Sequence, residues 1–273
     1  MTGSHSHNFS EMEMFAQFYH YLLPVMTILG IIVFIVLQFV TVAYGMTFNN
    51  RWGFSVRSNL GWFIMECPVF FTMLVLYFIS LAMGVKPFNI VTFVMFALFE
   101  FHYFQRSFIF PLLMKGQSKM PISIIIIGAV FNTFNAIMQG GWLFFFSPED
   151  AYPLSWLWSP QFIIGTLIFL FGMVVNLHSD RVIRALRSDV MDNNYYIPYG
   201  WMFKKISSAN YFGEILEWAG FAILTWSVPG AVFLLWSMAN IIPRSKAVYE
   251  RYTQFFGEEF TSLKRYKIFP YIY

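Results

Sequence analysis

Long runs of apolar residues separated by short polar stretches dominate this chain. A helix that crosses a membrane needs about 20 predominantly apolar residues, and five runs reach that length. They are residues 22–44, 62–83, 88–114, 122–146 and 158–178. We predict a spanning helix from each of these runs.

The last apolar block, residues 211–242, is too long for one span, because a helix rises about 1.5 Å per residue. Ser227, Val228, Pro229 and Gly230 lie at its middle. The block therefore predicts either one kinked helix or two helices that meet at Pro229.

The positions of the basic residues favour two helices, because Lys and Arg collect in cytoplasmic loops. With seven helices and an outside N-terminus, nearly all of the 17 lysines and arginines are cytoplasmic. Lys86 is then the basic residue of the outer loops, and Arg106 lies within the third helix. We predict an all-α integral membrane protein, a seven-transmembrane-helix bundle with the N-terminus outside and the C-terminus cytoplasmic. The last two helices are expected to be short, or tilted and partly re-entrant.

Composition supports a multi-pass membrane protein. Hydrophobic residues make up 58% of the chain and charged residues 11%, whereas about a quarter of an ordinary soluble domain is charged. The net charge is +3, and the distribution of the basic residues indicates orientation in a membrane. No basic recognition helix or zinc spacing suggests a nucleic-acid partner. Cys67 is the single cysteine, so neither an intrachain disulfide nor a metal site is expected. The first twenty residues lack Lys and Arg, so no signal peptide is expected.

The densest polar run extends from Asn176 to Glu217. Ionisable groups at the margins of membrane helices are costly unless they face a cavity, a partner or water. Asn176, Asp180, Arg184 and Arg187 follow i, i+4, i+8 and i+11, a stripe that could hold phosphates. A helix that binds lipid headgroups through its arginines is the alternative, but Asp180 fits it poorly.

A second polar face starts the sixth helix. Asn210, Glu214 and Glu217 follow i, i+4 and i+7, which places them on one side. Their side chains could bond ribose or amide groups, or pair with the arginines. No G-x-G-x-x-G or P-loop motif occurs, so a nucleotide would be held by helices and loops.

The second and third helices carry further candidates near the cytoplasmic side. Glu66 lies about one turn inside helix two, where a carboxylate must be neutral, hydrogen-bonded or, alternatively, exposed to water. Tyr103 and Arg106 are three residues apart in helix three and share a face. A tyrosine alone usually serves packing, but beside Glu66 it becomes a candidate.

Other polar residues of the bundle receive a structural interpretation. His102 and His178 each stand alone in a helix, so packing or hydrogen bonding is expected rather than haem ligation. Asn132, Asn135 and Gln139 of helix four can join helices. We expect Asn135 and Gln139 near a cavity.

Several segments, taken together, resemble a known family. They are WFIMECP, FHYFQRSFIFPLL, NLHSDRVIRALR, YYIPYGWMF and SSANYFGEILEWAGFAILTWS. From about Trp62 to Tyr273 the chain resembles the steroid 5-alpha-reductases of the 3-oxo-5-alpha-steroid 4-dehydrogenase family. The resemblance implies a seven-helix reductase that uses NADPH to saturate the 4,5 double bond of a 3-oxo-4-ene steroid. The sequence has no internal repeat and no low-complexity linker, so we predict a single domain, residues 1–273.

The resemblance also implies roles for individual residues. Glu66 and Tyr103 match the pair that hydrogen-bonds the 3-oxo group of the steroid. Ten residues match the cofactor side: Arg106, Asn176, Asp180, Arg184, Arg187, Tyr195, Asn210, Glu214, Glu217 and Tyr249.

Some positions depart from the family pattern. Met65 stands where a glutamine is frequent, and Tyr196 stands where an arginine is frequent. Arg244, Ser245 and Lys246 replace histidines of the tail. The preferred steroid and the local pocket are therefore open.

We expect the steroid to enter from lipid and NADPH to reach a cytoplasmic site with the cofactor loop 179–210 and the cytoplasmic tail 243–273. Residues 1–21 form a separate N-terminal segment in this prediction. We expect a monomer, in a bacterial inner membrane or the endoplasmic reticulum. Three alternatives stay open: a reductase of an enoyl thioester or polyprenol, a membrane methyltransferase and a lipid transporter.

Overall fold

The computed structural model describes residues 3–42, 45–48, 50–189, 191–192 and 194–273, and most of them are helical. The first helices are α1 (Gly3–Leu37), α2 (Ser58–Met83), α3 (Ile90–Phe104), α4 (Phe110–Leu113) and α5 (Ile122–Gly141). The others are α6 (Pro160–Ala185), α7 (Ala209–Thr225), α8 (Val228–Phe256) and α9 (Glu258–Thr261).

Two π-helical turns lengthen the bundle helices. Gln105–Ile109 joins α3 to α4 as one continuous rod, and Trp142–Phe146 extends α5. Four 3₁₀ turns lie in the connections: Gly45–Thr47, Asn50–Trp52, Leu154–Trp158 and Trp201–Lys204.

The helices follow the apolar runs of the sequence. Among the described residues, four helical segments are long and apolar enough to cross a membrane: Glu11–Leu37, Ser58–Met83, Ile122–Phe146 and Pro160–Ala185. The described chain is thus that of an all-α membrane protein. Seven spans and the orientation of the termini stay predictions.

The helix break near Pro229 occurs where the sequence predicts it. Helix α7 ends at Thr225 and α8 begins at Val228, with Ser227 as its N-cap. Ser227 Oγ accepts a hydrogen bond from the Gly230 amide at 3.1 Å. Proline is tolerated in the first turn because its missing N–H needs no helical partner there. Helix α8 has 29 residues, so it is not the short helix that we expected.

A small antiparallel strand pair, which the sequence pattern did not predict, joins the starts of α2 and α5. Strand β1 (Ser55–Arg57) pairs with β2 (Lys119–Pro121), with Val56 opposite Met120. Each strand leads directly into its helix, so the pair aligns the first turns of α2 and α5.

Other contacts hold the two ends of the bundle. Near the start of α7, the C-terminal tail binds the preceding segment, because the Ser207 amide donates to Tyr266 O and the Tyr266 amide to Lys205 O, both at 2.9 Å. At the opposite end, Tyr152 Oη donates to Thr225 O at 2.7 Å. Both ends of α7 are thus fixed.

Helices α6 and α7 pack with their backbones in direct contact, through two glycines on each helix. Gly165 and Gly172 of α6 face Gly220 and Gly213 of α7. A methyl group on any of them would lie closer than 3.0 Å to a backbone atom of the other helix. Small residues permit this approach in membranes. The antiparallel contact places Asn176 against the first turns of α7.

Aromatic side chains fill the core between this helix pair and α3. The Trp218 ring contacts Phe99, Phe169, Phe221 and Phe233, at centroid distances between 4.4 and 6.4 Å. Trp218 is only 2% exposed, so the tight α6–α7 pair and α3 share one core.

Gly220→Ala should destabilise the protein, because its methyl group would overlap the backbone of Phe169. Overpacking costs about 1–3 kcal/mol, and a backbone obstacle argues for the upper end. Thermal unfolding of the purified protein in detergent measures the loss. Leu167→Ala, on the exposed side of α6, is the control. Equal losses in the two variants would contradict tight α6–α7 packing.

Candidate active site

Arg106 is the centre of a charged cluster formed by four helices and the π turn. Its guanidinium pairs with Asp180 of α6 at 3.6 Å and with Glu214 of α7 at 3.7 Å. The rings of Trp62 and Phe110 each lie 4.4 Å from its Cζ atom. A guanidinium can stack on aromatic rings and still pair with carboxylates at its edge. Arg106 is therefore held from α2, α4, α6 and α7.

A second pair lies deeper between α3 and α7. His102 donates from Nδ1 to Glu217 Oε1 at 2.8 Å, and both side chains are buried. The His102 ring also lies 4.5 Å from that of Trp218 and 5.0 Å from that of Tyr103. Within the described part of the chain, Glu217 Oε2 has no hydrogen-bond partner. This oxygen is an acceptor without a protein donor.

Tyr103 is held by amide side chains of α5. Its side chain is 2% exposed, and Asn135 donates from Nδ2 to its hydroxyl oxygen at 3.1 Å. Gln139 in turn donates to Asn135 Oδ1 at 3.3 Å and to Pro229 O at 2.9 Å. A polar chain thus extends from the start of α8 to the phenol.

Glu66 is buried and bonded to α5 as well. Its carboxylate Oε2 accepts from Asn132 Nδ2 at 3.1 Å, and the same nitrogen donates to Met65 O at 2.8 Å. With 8% exposure, Glu66 is not the water-exposed acid of the alternative interpretation. Asn132 and Asn135 are three residues apart, so one face of α5 holds both Glu66 and Tyr103.

The stripe of polar residues near the end of α6 has hydrogen bonds at Asn176 and Arg187, whereas one nitrogen of Arg184 lacks one within the part of the chain that the structure describes. Arg187 donates from Nη1 to Lys115 O at 3.0 Å, and Lys115 Nζ donates back to Arg187 O at 2.8 Å. Asn176 donates to Asn210 O at 3.0 Å. Arg184 Nη1 is buried, and the described residues offer it no hydrogen-bond acceptor. A ligand role for Arg184 stays a prediction.

Comparison with known proteins identifies the family. Residues 118–273 match the family described as 3-oxo-5-alpha-steroid 4-dehydrogenase. The chain is 31% identical over 262 residues to "Steroid 5-alpha-reductase DET2" of Arabidopsis thaliana, which covers 94% of this chain and 97% of that protein. The chain belongs to the 3-oxo-5-alpha-steroid 4-dehydrogenase family.

Two mammalian relatives in this family carry the name "3-oxo-5-alpha-steroid 4-dehydrogenase 1". The Bos taurus protein is 32% identical over 234 residues, with 84% of this chain and 88% of that protein covered. The Homo sapiens protein is 37% identical over 180 residues, with 66% of this chain and 67% of that protein covered.

Two predicted cofactor residues of this family member lie in aromatic contacts of the C-terminal region. The Tyr195 ring is 5.1 Å from Phe255, and the Tyr249 ring is 5.1 Å from Phe260. These contacts involve the end of α8 and α9 rather than the ion pairs around Arg106. A cofactor role for both residues stays a prediction.

The loop after α6 is organised by Asp192. Its carboxylate accepts from the amides of Asn194 at 3.0 Å and Ser188 at 3.1 Å, and from Tyr196 Oη at 3.0 Å. These bonds lower the pKa of the exposed Asp192 carboxyl, and the bond from the Asn194 amide has the largest effect. Tyr196, one of the departures from the family pattern, thus has a role in the loop.

The other departures also have partners in the structure. Met65 packs with Met120, Ile124 and Ile125, so an apolar contact between α2 and α5 replaces the frequent glutamine. Arg244 donates from Nε to Tyr211 Oη at 2.8 Å, which joins α8 to α7.

The candidate set omitted His102, Asn132, Asn135 and Gln139, which make the bonds closest to the main candidates. Two signals were present in the sequence. The three α5 residues share one helical face at i, i+3 and i+7, and His102 directly precedes Tyr103. Neither signal identifies the partner, because each partner lies on another helix.

His102→Phe should destabilise the protein, because it leaves the Glu217 carboxylate buried without its donor. Breaking one half of a buried pair costs about 3–5 kcal/mol. His102→Asn should lose much less, since its amide nitrogen can take the place of Nδ1. Thermal unfolding in detergent compares the two variants. If His102→Asn is as unstable as His102→Phe, the donor role is wrong.

Proposed function

We propose that this protein is a membrane reductase that saturates the 4,5 double bond of 3-oxo-4-ene steroids with NADPH. The observation that carries the proposal is the buried pair Glu66 and Tyr103, which one face of α5 holds in a member of this family. The names of the relatives, steroid 5-alpha-reductase among them, support the reaction.

The chemistry requires a polarising group at the 3-oxo oxygen. As C5 is reduced, electron density moves through the enone to that oxygen. Hydrogen-bond donors placed there stabilise the transition state more than the ground state. Tyr103 can donate its phenolic proton, whereas Glu66 donates only when protonated and otherwise orients its neighbours.

The polar groups around α6 and α7 fit a dinucleotide cofactor. Several buried polar atoms lack a hydrogen-bond partner within the described ranges, and those near the end of α6 and the first half of α7 are Ser179 Oγ, Asp180 Oδ2, Arg184 Nη1, Ser208 Oγ and Glu217 Oε2. Asp180 Oδ2 does have an ion pair with Arg106. Guanidinium groups suit phosphates, and carboxylates accept from amide and hydroxyl groups. Bound NADPH would supply the hydride that C5 receives, while C4 gains a proton.

Within this proposal, the protein's own residues divide the binding task. Arg184 and Arg187, at the end of α6, would hold the phosphates. Asp180, Glu214 and Glu217 would accept from the amide and hydroxyl groups. Because α6 and α7 are locked together, these groups are positioned before the cofactor binds, which lowers the cost of ordering them.

An apolar groove supports entry of the steroid from the lipid side. It has a volume of about 260 Å³ and is lined by Asn59, Leu60, Phe63, Phe108, Pro111 and Leu112. Phe63 lies about one helical turn before Glu66 on α2. An apolar substrate and a charged cofactor could therefore approach from different sides, the cofactor from the cytoplasm.

Tyr103→Phe and Glu66→Gln should each lower kcat for NADPH-dependent reduction of progesterone. Removal of one donor to a developing oxyanion costs about 10²–10³-fold, which we expect for Tyr103→Phe. The loss for Glu66→Gln should be smaller, because glutamine replaces the carboxyl group but keeps an NH₂ donor. Product analysis with purified protein measures the rates. Tyr77→Phe, three turns beyond Glu66 on α2, is the matched control and should stay near the native rate. Native rates in both site variants would refute the site, and reduction of enoyl thioesters alone would refute the steroid.

Arg184→Gln should weaken NADPH binding, because it removes a charged hydrogen-bond donor. Such bonds contribute about 1.5–3 kcal/mol, which corresponds to roughly 10- to 100-fold in Kd. Quenching of tryptophan fluorescence by NADPH measures the affinity without turnover. Arg181→Gln is the control, since Arg181 is exposed one turn earlier on α6. Equal affinities in these two variants would exclude Arg184 from the cofactor site.

A further inference from the structure

Three hydrogen bonds connect a backbone carbonyl to the phenol of Tyr103. Gln139 Nε2 donates to Pro229 O at 2.9 Å and to Asn135 Oδ1 at 3.3 Å. Asn135 Nδ2 then lies 3.1 Å from Tyr103 Oη. The Tyr103, Asn135 and Gln139 side chains are at most 2% exposed, so bulk water does not compete for these bonds.

The carbonyl at the end of the chain determines the direction of every bond. A carbonyl only accepts, so Gln139 must turn its NH₂ group toward Pro229 O. The second proton of that NH₂ group goes to Asn135, which must present its oxygen. Asn135 therefore turns its own NH₂ group toward Tyr103. An amide NH₂ group donates and does not accept, so the phenolic proton cannot point at Asn135.

The position of the Pro229 carbonyl is itself held by a rigid turn between α7 and α8. Ser227 Oγ accepts from the Gly230 amide at 3.1 Å and lies 3.0 Å from Thr225 Oγ1. Tyr152 Oη donates to Thr225 O at 2.7 Å. The acceptor that orients the chain is thus part of the fold and does not depend on a ligand.

We propose that Asn135 and Gln139 are positioning residues that keep the Tyr103 proton available to the substrate oxygen. The proposal rests on the function proposed above. A ketone oxygen only accepts hydrogen bonds, so it is complementary to a phenol whose proton is directed away from α5. Asn135 and Gln139 then act through Tyr103 and not by touching the steroid.

Binding of progesterone and of its 3-deoxo analogue, without NADPH, tests the proposal. The ratio of the two affinities reports the hydrogen bond to the 3-oxo group, and we expect about tenfold for the native protein. Asn135→Asp offers acceptor oxygens to Tyr103, so its ratio should fall to about one. Asn135→Ala removes the donor but adds no acceptor, so its ratio should fall less than that of Asn135→Asp. In a Tyr103→Phe background the ratio should be about one whatever residue is at position 135.

Gln139→Glu provides a second variant that does not touch Tyr103. A carboxyl group has at most one proton, which bonds to Pro229 O, so its other oxygen accepts from Asn135. Asn135 would then rotate and present its oxygen to Tyr103, and the ratio should again fall to about one.

The outcomes separate this inference from the proposed function. If the native protein binds neither steroid, the proposed function fails and the inference fails with it. If the native protein prefers progesterone and both Asn135→Asp and Gln139→Glu keep that preference, the inference alone is wrong. A ratio lost equally in Asn135→Ala and Asn135→Asp would likewise overturn the directional role.

Discussion

The backbone contact between α6 and α7 is the constraint on which the proposed cofactor site depends. Inside a membrane the hydrophobic effect does not draw helices together, so close packing and hydrogen bonds must do so. Gly165, Gly172, Gly213 and Gly220 remove the side chains that would separate the two helices. The antiparallel register that results brings the polar end of α6 to the polar start of α7. Two sets of residues far apart in the chain thus become one surface.

The site combines neutral amides on α5 with ion pairs that join α3 and its π turn to α6 and α7. The ion pairs of Arg106 join the last turns of the bundle, where the polar loops begin. On α5 the partners of Glu66 and Tyr103 are neutral amides, Asn132 and Asn135, and Gln139 supports Asn135. This division suits the proposed ligand pair, in which one member carries phosphates and the other is a steroid.

Much of the fold is predictable because run length and helix period are local properties. The apolar runs predict the positions of the long helices, and the residues Ser227 to Gly230 predict the break between α7 and α8. The β1–β2 pair was not predicted, because a strand of three residues is too short to show an alternation of polar and apolar positions. For the site, periodicity assigns a residue to a face but not to a partner. The bond between His102 and Glu217 joins positions that are 115 residues apart, and only packing specifies it.

Periodicity does not specify partners, so the sequence alone does not show which helices the segment from His102 to Arg106 contacts. The structure does. These residues lie within about one turn, yet they face three different helices: His102 bonds to α7, Tyr103 to α5, and Arg106 pairs with both α6 and α7. The Trp218 ring contacts both His102 and Tyr103. Tyr103, which is proposed to polarise the steroid, and Arg106, which pairs with residues proposed to hold the cofactor, are therefore neighbours on one helical rod. A shift of this rod would move Tyr103 and Arg106 together, so the contacts of the proposed steroid site and those of the proposed cofactor site would change at the same time.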